Sequence, residues 1–193
     1  IYHSITPLFI YLIILQIILS KRIIKSKNLN LMRKRSMSMK NFRQLFKNKN
    51  YPIHAIADGK VIRLENIPDT AFSHRLIGDG LALEINSPNI YSPCDGVIST
   101  IAATKHAFII TLSSGAELLI HIGLYHNKPE HDFFHYHFEV GQSISAHDHI
   151  LTLDEAFLKA HDYQIIIPMV ILNYQKHPVK SLTTASTIEK GKK

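Results

Sequence analysis

Cysteine occurs once, at position 94, and tryptophan not at all in a chain of 193 residues. A single thiol excludes an intrachain disulfide and suits a reducing, cytoplasmic setting. Acidic residues are missing from positions 1–50, which hold eleven of the 22 Lys and Arg. Residues 51–193 carry the other eleven against all fifteen acids, a balance of −4. The formal charge of +7 therefore describes the N-terminal arm and says nothing about partners of the body. A body of negative balance, without a DNA-binding motif, argues against nucleic acid as a partner.

A long uninterrupted apolar run is also lacking. "ITPLFIYLIILQIILS" is broken by Gln16 and falls short of the roughly 20 residues a membrane helix needs. Basic residues follow it ("KRIIKSK"), the reverse of a secretory signal, although they suit an anchor whose C-terminal side stays in the cytoplasm. Three readings of the arm stay open: translation of sequence upstream of a start at Met37 or Met39, an anchor or stub of a preceding domain, and a disordered arm. The first is preferred, because residues 1–50 begin at Ile and are rich in residues of AT-rich codons. The expected organisation is an arm over 1–50, one domain over 51–174 and a polar tail over 175–193.

What the body does have is short apolar runs between turn residues. "HAIADGKVIRLENI" and "YSPCDGVISTIAAT" each carry Asp-Gly followed by Val-Ile, which predicts hairpins and a repeated motif. "EVGQSISAHDHILTLD" is a weaker relative. "HAFIITLSSGAELLIHIG" predicts two strands around Ser113-Ser114-Gly115. Only Asp154–Asp162 predicts a helix, with Asp154 as its cap. The expected fold is all-β, an antiparallel sandwich or open barrel with short helical segments.

The Ser-Ser-Gly hairpin has a chemical consequence. It places Thr104–His106 and Leu119–His121 at its open end, on adjacent strands. Facing side chains there are ~5 Å apart, close enough for two imidazoles to share one ligand. Gly123, two residues beyond His121, permits close approach of a backbone or ligand.

The segment "SPCDGVIST…TKHAFIITLSSGAELLIHIG" resembles the glucose-type EIIA domain of the phosphoenolpyruvate-dependent sugar phosphotransferase system. The likeness begins near "AIADGKVIRLENIPDTAFSHRLIGDGLAL" and runs to "IIIPMVILN", covering about Ile53 to Asn173. It implies a β-sandwich with a duplicated motif and a histidine phosphocarrier without cofactor or resident metal. By that resemblance His121 accepts a phosphoryl group from phospho-HPr and passes it to a sugar-specific IIB domain. His106 stabilises the phosphoryl charge, Thr104 orients His106, Gly123 leaves room and offers its N–H, and Asp79 matches an acid of the docking face. Membrane contact is expected only through a permease partner or the arm.

The chain departs from the family at three places. Tyr125 and His126 stand where the family has an acid followed by Thr or Ser. His131-Asp132-Phe133 replaces a glycine-rich "GEG". The segment after Asn173 has weak strand character. Two other functions are weighed against the phosphocarrier. One is a regulatory binding module of the same fold. The other is a zinc hydrolase using the His135/His137 pair with His54 and Asp58 at H-x-x-x-D spacing. Glu117 and Cys94 are expected to be structural.

Overall fold

A computed structural model describes residues 51–124 and 133–191. The N-terminal arm, with the anchor and the upstream start proposed for it, lies outside the described residues, as do Tyr125, His126, His131 and Asp132. Pro52–Lys193 forms one structural unit. No helix among the described residues is long and apolar enough to cross a membrane.

Among the described residues eleven strands form two antiparallel sheets. The larger has the order β11 (Thr187–Ile188), β1 (Gly59–Arg63), β2 (Asp79–Ile85), β10 (Ile165–Ile171), β6 (Glu117–His121), β5 (Ala107–Thr111), β4 (Gly96–Ile101) and β8 (Ser143–Ile144). The smaller joins β3 (Asn89–Tyr91), β9 (His149–Leu153) and β7 (Phe134–Tyr136). Among the described residues there are also two short α-helices, α1 (Thr70–Ser73) and α2 (Glu155–Ala160), and a 3-10 turn at Leu64–Asn66. The fold is the expected all-β arrangement, and the large sheet is not closed into a barrel. The expected helix is present as α2, where the Asp154 side chain accepts from the Ala156 N–H.

The runs "AFIIT" and "ELLIH" are buried almost continuously instead of alternating. β6 lies between β10 and β5 near the middle of the sheet, and strands covered on both faces read as unbroken apolar sequence. Phe108, Ile110, Leu118 and Ile120 are at most 2% exposed, and burial of each contributes about 1.5–3 kcal/mol. This hairpin is therefore a stiff platform. Its turn is the predicted one: the Gly115 N–H donates to the Leu112 carbonyl at 2.9 Å, with Gly115 at φ 88°.

The two Asp-Gly pairs do not make hairpins. A two-residue type I′ turn needs positive φ at both central residues, and neither Gly59 nor Gly96 has it. Each glycine instead opens a strand at a point of close approach. A Cβ on Gly59 would lie 2.5 Å from the Glu84 carbonyl oxygen, and one on Gly96 2.9 Å from that of Thr111. Each preceding aspartate holds a segment returning to the same strand. Asp58 accepts from the Lys190 N–H at 2.6 Å beside β11, and Asp95 from the Ala146 N–H at 2.9 Å beside β8. The repeat in the sequence is thus a repeated three-strand arrangement, β11-β1-β2 and β8-β4-β5.

Within the polar segment over 175–193 the weak strand character takes the form of one short pairing. Thr187–Ile188 pairs with Gly59–Lys60 as β11, and the Val61 N–H donates to the Ser186 carbonyl. The outer edge of β1 would otherwise present unpaired backbone groups, so a short polar segment suffices to cover it.

Candidate functional site

His121 is the last residue of β6 and pairs in register with Ala107, while the Ile122 N–H donates to the His106 carbonyl at 2.7 Å. This pairing sets the two imidazoles side by side, with ring centres 4.6 Å apart and planes at 69°. Each residue is 8% exposed, so both rings are buried at the open end of the hairpin.

Each ring is held through Nδ1. His121 Nδ1–H donates to the Gly123 carbonyl at 2.7 Å. A carbonyl can only accept, so the neutral imidazole keeps its proton on Nδ1 and its lone pair on Nε2. Gly123 has φ 74°, a conformation glycine adopts without a Cβ clash. Thr104 Oγ1 lies 2.6 Å from His106 Nδ1. With the hydroxyl donating, His106 carries its proton on Nε2, the complement of the tautomer at His121.

A third ring borders the pair. Phe72 meets His121 edge-on, with centres 5.4 Å apart and planes at 69°. It stands on α1, whose cap is the buried side chain of Asp69, accepting from the N–H groups of Ala71 at 2.8 Å and Phe72 at 3.3 Å. Asp69→Ala is expected to lower stability by about 1 kcal/mol through loss of this cap, with Asp69→Asn largely preserving it. Urea unfolding of the two variants checks this. α1 is a helix the sequence reading did not expect; Asp69 ahead of Thr-Ala-Phe is the signal that could have found it, while nothing local says that Phe72 lies on His121.

Thr104, His106, His121 and Gly123 are thus brought together, and Asp79 is not. Asp79 pairs with Ile171, which itself pairs with Leu118, so it lies two strands away and three residues short of His121. Its carboxylate faces Arg75, with Nε 3.6 Å from Oδ1. Glu117 begins β6 at the opposite end from His121 and is half-buried.

The histidines weighed as zinc ligands make other contacts. The His54 ring packs on that of His147, with centres 4.7 Å apart, and its Nδ1–H donates to the Gly191 carbonyl. His137 Nε2 lies 2.8 Å from the Thr152 hydroxyl and His135 faces Asp154. No group of three or more His, Cys, Asp or Glu among the described residues is placed to hold a metal ion.

Burial, with Asp95 beside it, pushes the Cys94 thiol from an ordinary 9.0 up to about 12. A thiol is the poor nucleophile of the thiol–thiolate pair, so native Cys94 is expected to resist iodoacetamide at neutral pH and react only on unfolding. Because its folded value is raised, the associated stability is present below about pH 9 and is lost as pH rises toward 12. Cys94→Ala is expected to flatten that alkaline decline, as read by denaturation at several pH values.

Residues 51–177 match the family model of the phosphoenolpyruvate-dependent sugar phosphotransferase system, EIIA 1. The chain is 33% identical over 150 residues to a PTS system glucose-specific EIIA component from Buchnera aphidicola, covering 78% of this chain and 92% of that one. It is 37% identical over 128 residues to a PTS system glucose-specific EIICBA component from Streptococcus pneumoniae, covering 66% of this chain and 18% of the length of that relative. Among solved structures, glucose permease IIA from Mycoplasma capricolum matches with a TM-score of 0.62 and 30% identity, over 75% of this chain and 93% of that one. The chain belongs to the EIIA 1 family of the phosphoenolpyruvate-dependent sugar phosphotransferase system.

Proposed function

We propose that this chain is a histidine phosphocarrier in sugar uptake, taking a phosphoryl group from phospho-HPr onto Nε2 of His121 and delivering it to a sugar-specific IIB domain on the cytoplasmic side. The observation that carries the reading is the hydrogen bond from His121 Nδ1 to the Gly123 carbonyl, beside a second imidazole 4.6 Å away. It directs the lone pair of His121 to Nε2, the nitrogen that attacks.

In the reaction the bond from phosphorus to the donor's imidazole breaks as the bond to His121 Nε2 forms. The His121 ring becomes cationic while Nδ1 retains its proton, and the Gly123 carbonyl stabilises that charge. The phosphoryl group passes through a loose transition state with negative charge on its outer oxygens. His106, oriented by Thr104, donates from Nε2–H to one of those oxygens. In transfer to IIB the bond from phosphorus to His121 Nε2 breaks as a bond forms to the accepting nucleophile of IIB, and the lone pair returns to Nε2. The chemistry asks for positioning and charge stabilisation, which a buried pair on a stiff hairpin supplies.

Incubating the chain with phosphoenolpyruvate, enzyme I and HPr tests this. One acid-labile phosphoryl group is expected, mapping to the peptide that contains His121. An unmodified chain beside phosphorylated HPr overturns the reading.

A further inference from the structure

The turn that delivers His106 is gripped from the second sheet. Lys105, between Thr104 and His106, has φ 59°, a region that residues with a Cβ rarely occupy. Its N–H donates to the Ala102 carbonyl at 2.8 Å, and the Ala102 N–H donates to the Ala107 carbonyl at 2.8 Å, closing a tight turn between β4 and β5. The Lys105 carbonyl accepts a hydrogen bond from the hydroxyl of Tyr136, on β7 and 31 residues away. That hydroxyl is itself well fixed. The Tyr136 ring packs against Phe108 at 5.8 Å and Phe138 at 5.0 Å, and these two meet each other at 5.3 Å. Phe108, two residues past His106 on β5, is 1% exposed.

We infer that Tyr136 is a positioning residue for His106. Its hydrogen bond holds residue 105 in the left-handed conformation, and that conformation aims the His106 ring at both Thr104 Oγ1 and His121. Without the bond, Lys105 has a reason to leave a region that its Cβ disfavours. The peptide between Lys105 and His106 then turns, and Nδ1 swings away from the Thr104 hydroxyl. The smaller sheet thereby sets the geometry of a site built on the larger one. The consequence for phosphoryl transfer rests on the phosphocarrier reading above; the consequence for the His106 ring does not.

Four versions of this chain test this: the unaltered one, Tyr136→Phe, Lys105→Gly and the double variant. Phenylalanine keeps the ring packing and removes only the hydroxyl, while glycine holds positive φ unaided. Proton–nitrogen correlation spectra of the unphosphorylated chains read the His106 ring nitrogens directly, and transfer from the phosphorylated chains to a IIB domain reads function. Tyr136→Phe is expected to shift both His106 nitrogens and to slow onward transfer roughly three- to ten-fold, the worth of one neutral hydrogen bond. In the Lys105→Gly background the same change is expected to do little. Unmoved His106 resonances in Tyr136→Phe, or equal losses in both backgrounds, overturn the inference. If the unaltered chain takes up no phosphate, the phosphocarrier reading fails and the His106 spectra still decide this one.

Discussion

Replacing His121 by alanine is expected to abolish phosphoryl uptake entirely while the domain remains folded. On the phosphocarrier reading His121 supplies the attacking lone pair, which its Nδ1–H bond to the Gly123 carbonyl leaves on Nε2. His106 is not expected to substitute for it. With Thr104 donating to its Nδ1, the His106 lone pair is engaged there and Nε2 carries a proton, which makes it a donor. The structural cost is modest. The imidazole sits at the end of β6 against Phe72, and removing it leaves a small space there without disturbing the register with Ala107. Intact mass after incubation with the phosphoryl donors, together with a thermal melt, separates loss of chemistry from loss of fold. Phosphate appearing on the folded His121→Ala chain would move the acceptor to another residue.

The second large effect is expected from His106→Gln. Phosphate still reaches His121, because the attacking lone pair is untouched, and full stoichiometry is attained given time. The rate of onward transfer to IIB is expected to fall on the order of a hundredfold, the usual cost of removing one preorganised donor from a developing oxyanion. Glutamine carries an N–H donor of its own. Its flexible amide, however, lacks the Nδ1 contact with Thr104 that fixes the imidazole, so the donor is no longer held where the charge develops. Because His106 would donate to the phosphoryl oxygens in both transfers, uptake from HPr is expected to slow as well, and rapid-quench measurements of each transfer check this. A variant that takes up phosphate fully and passes it on at the original rate would remove His106 from the mechanism.

A thiol at position 94 and two aspartates at 58 and 95 illustrate what local reading gets right and wrong. That Cys94 is structural follows from its isolation in the sequence and agrees with its burial. The Asp-Gly pairs misled because the dipeptide has two uses. One is to enter a primed turn. The other is to start a strand where no Cβ fits, with the carboxylate free to hold a distant N–H. Local sequence cannot separate these, since the deciding neighbours, Glu84 and Thr111, are brought in by other strands.

Local sequence by itself determined the hairpin and with it the histidine pair. Ser-Ser-Gly fixes the turn, two five-residue strands fix the reach, and strand pairing then leaves His106 and His121 as neighbours at the open end. Only the tertiary structure decided what surrounds them. Phe72 reaches His121 from α1, Tyr136 reaches Lys105 from the second sheet, and β11 returns to β1. The placement of Asp79 away from the pair was settled the same way, by the order of β2, β10 and β6 in the sheet. The physical reason is one of range. Turn geometry and strand period act over a few residues, whereas these contacts join segments whose proximity depends on how the strands are ordered and covered, which no short stretch of the chain encodes.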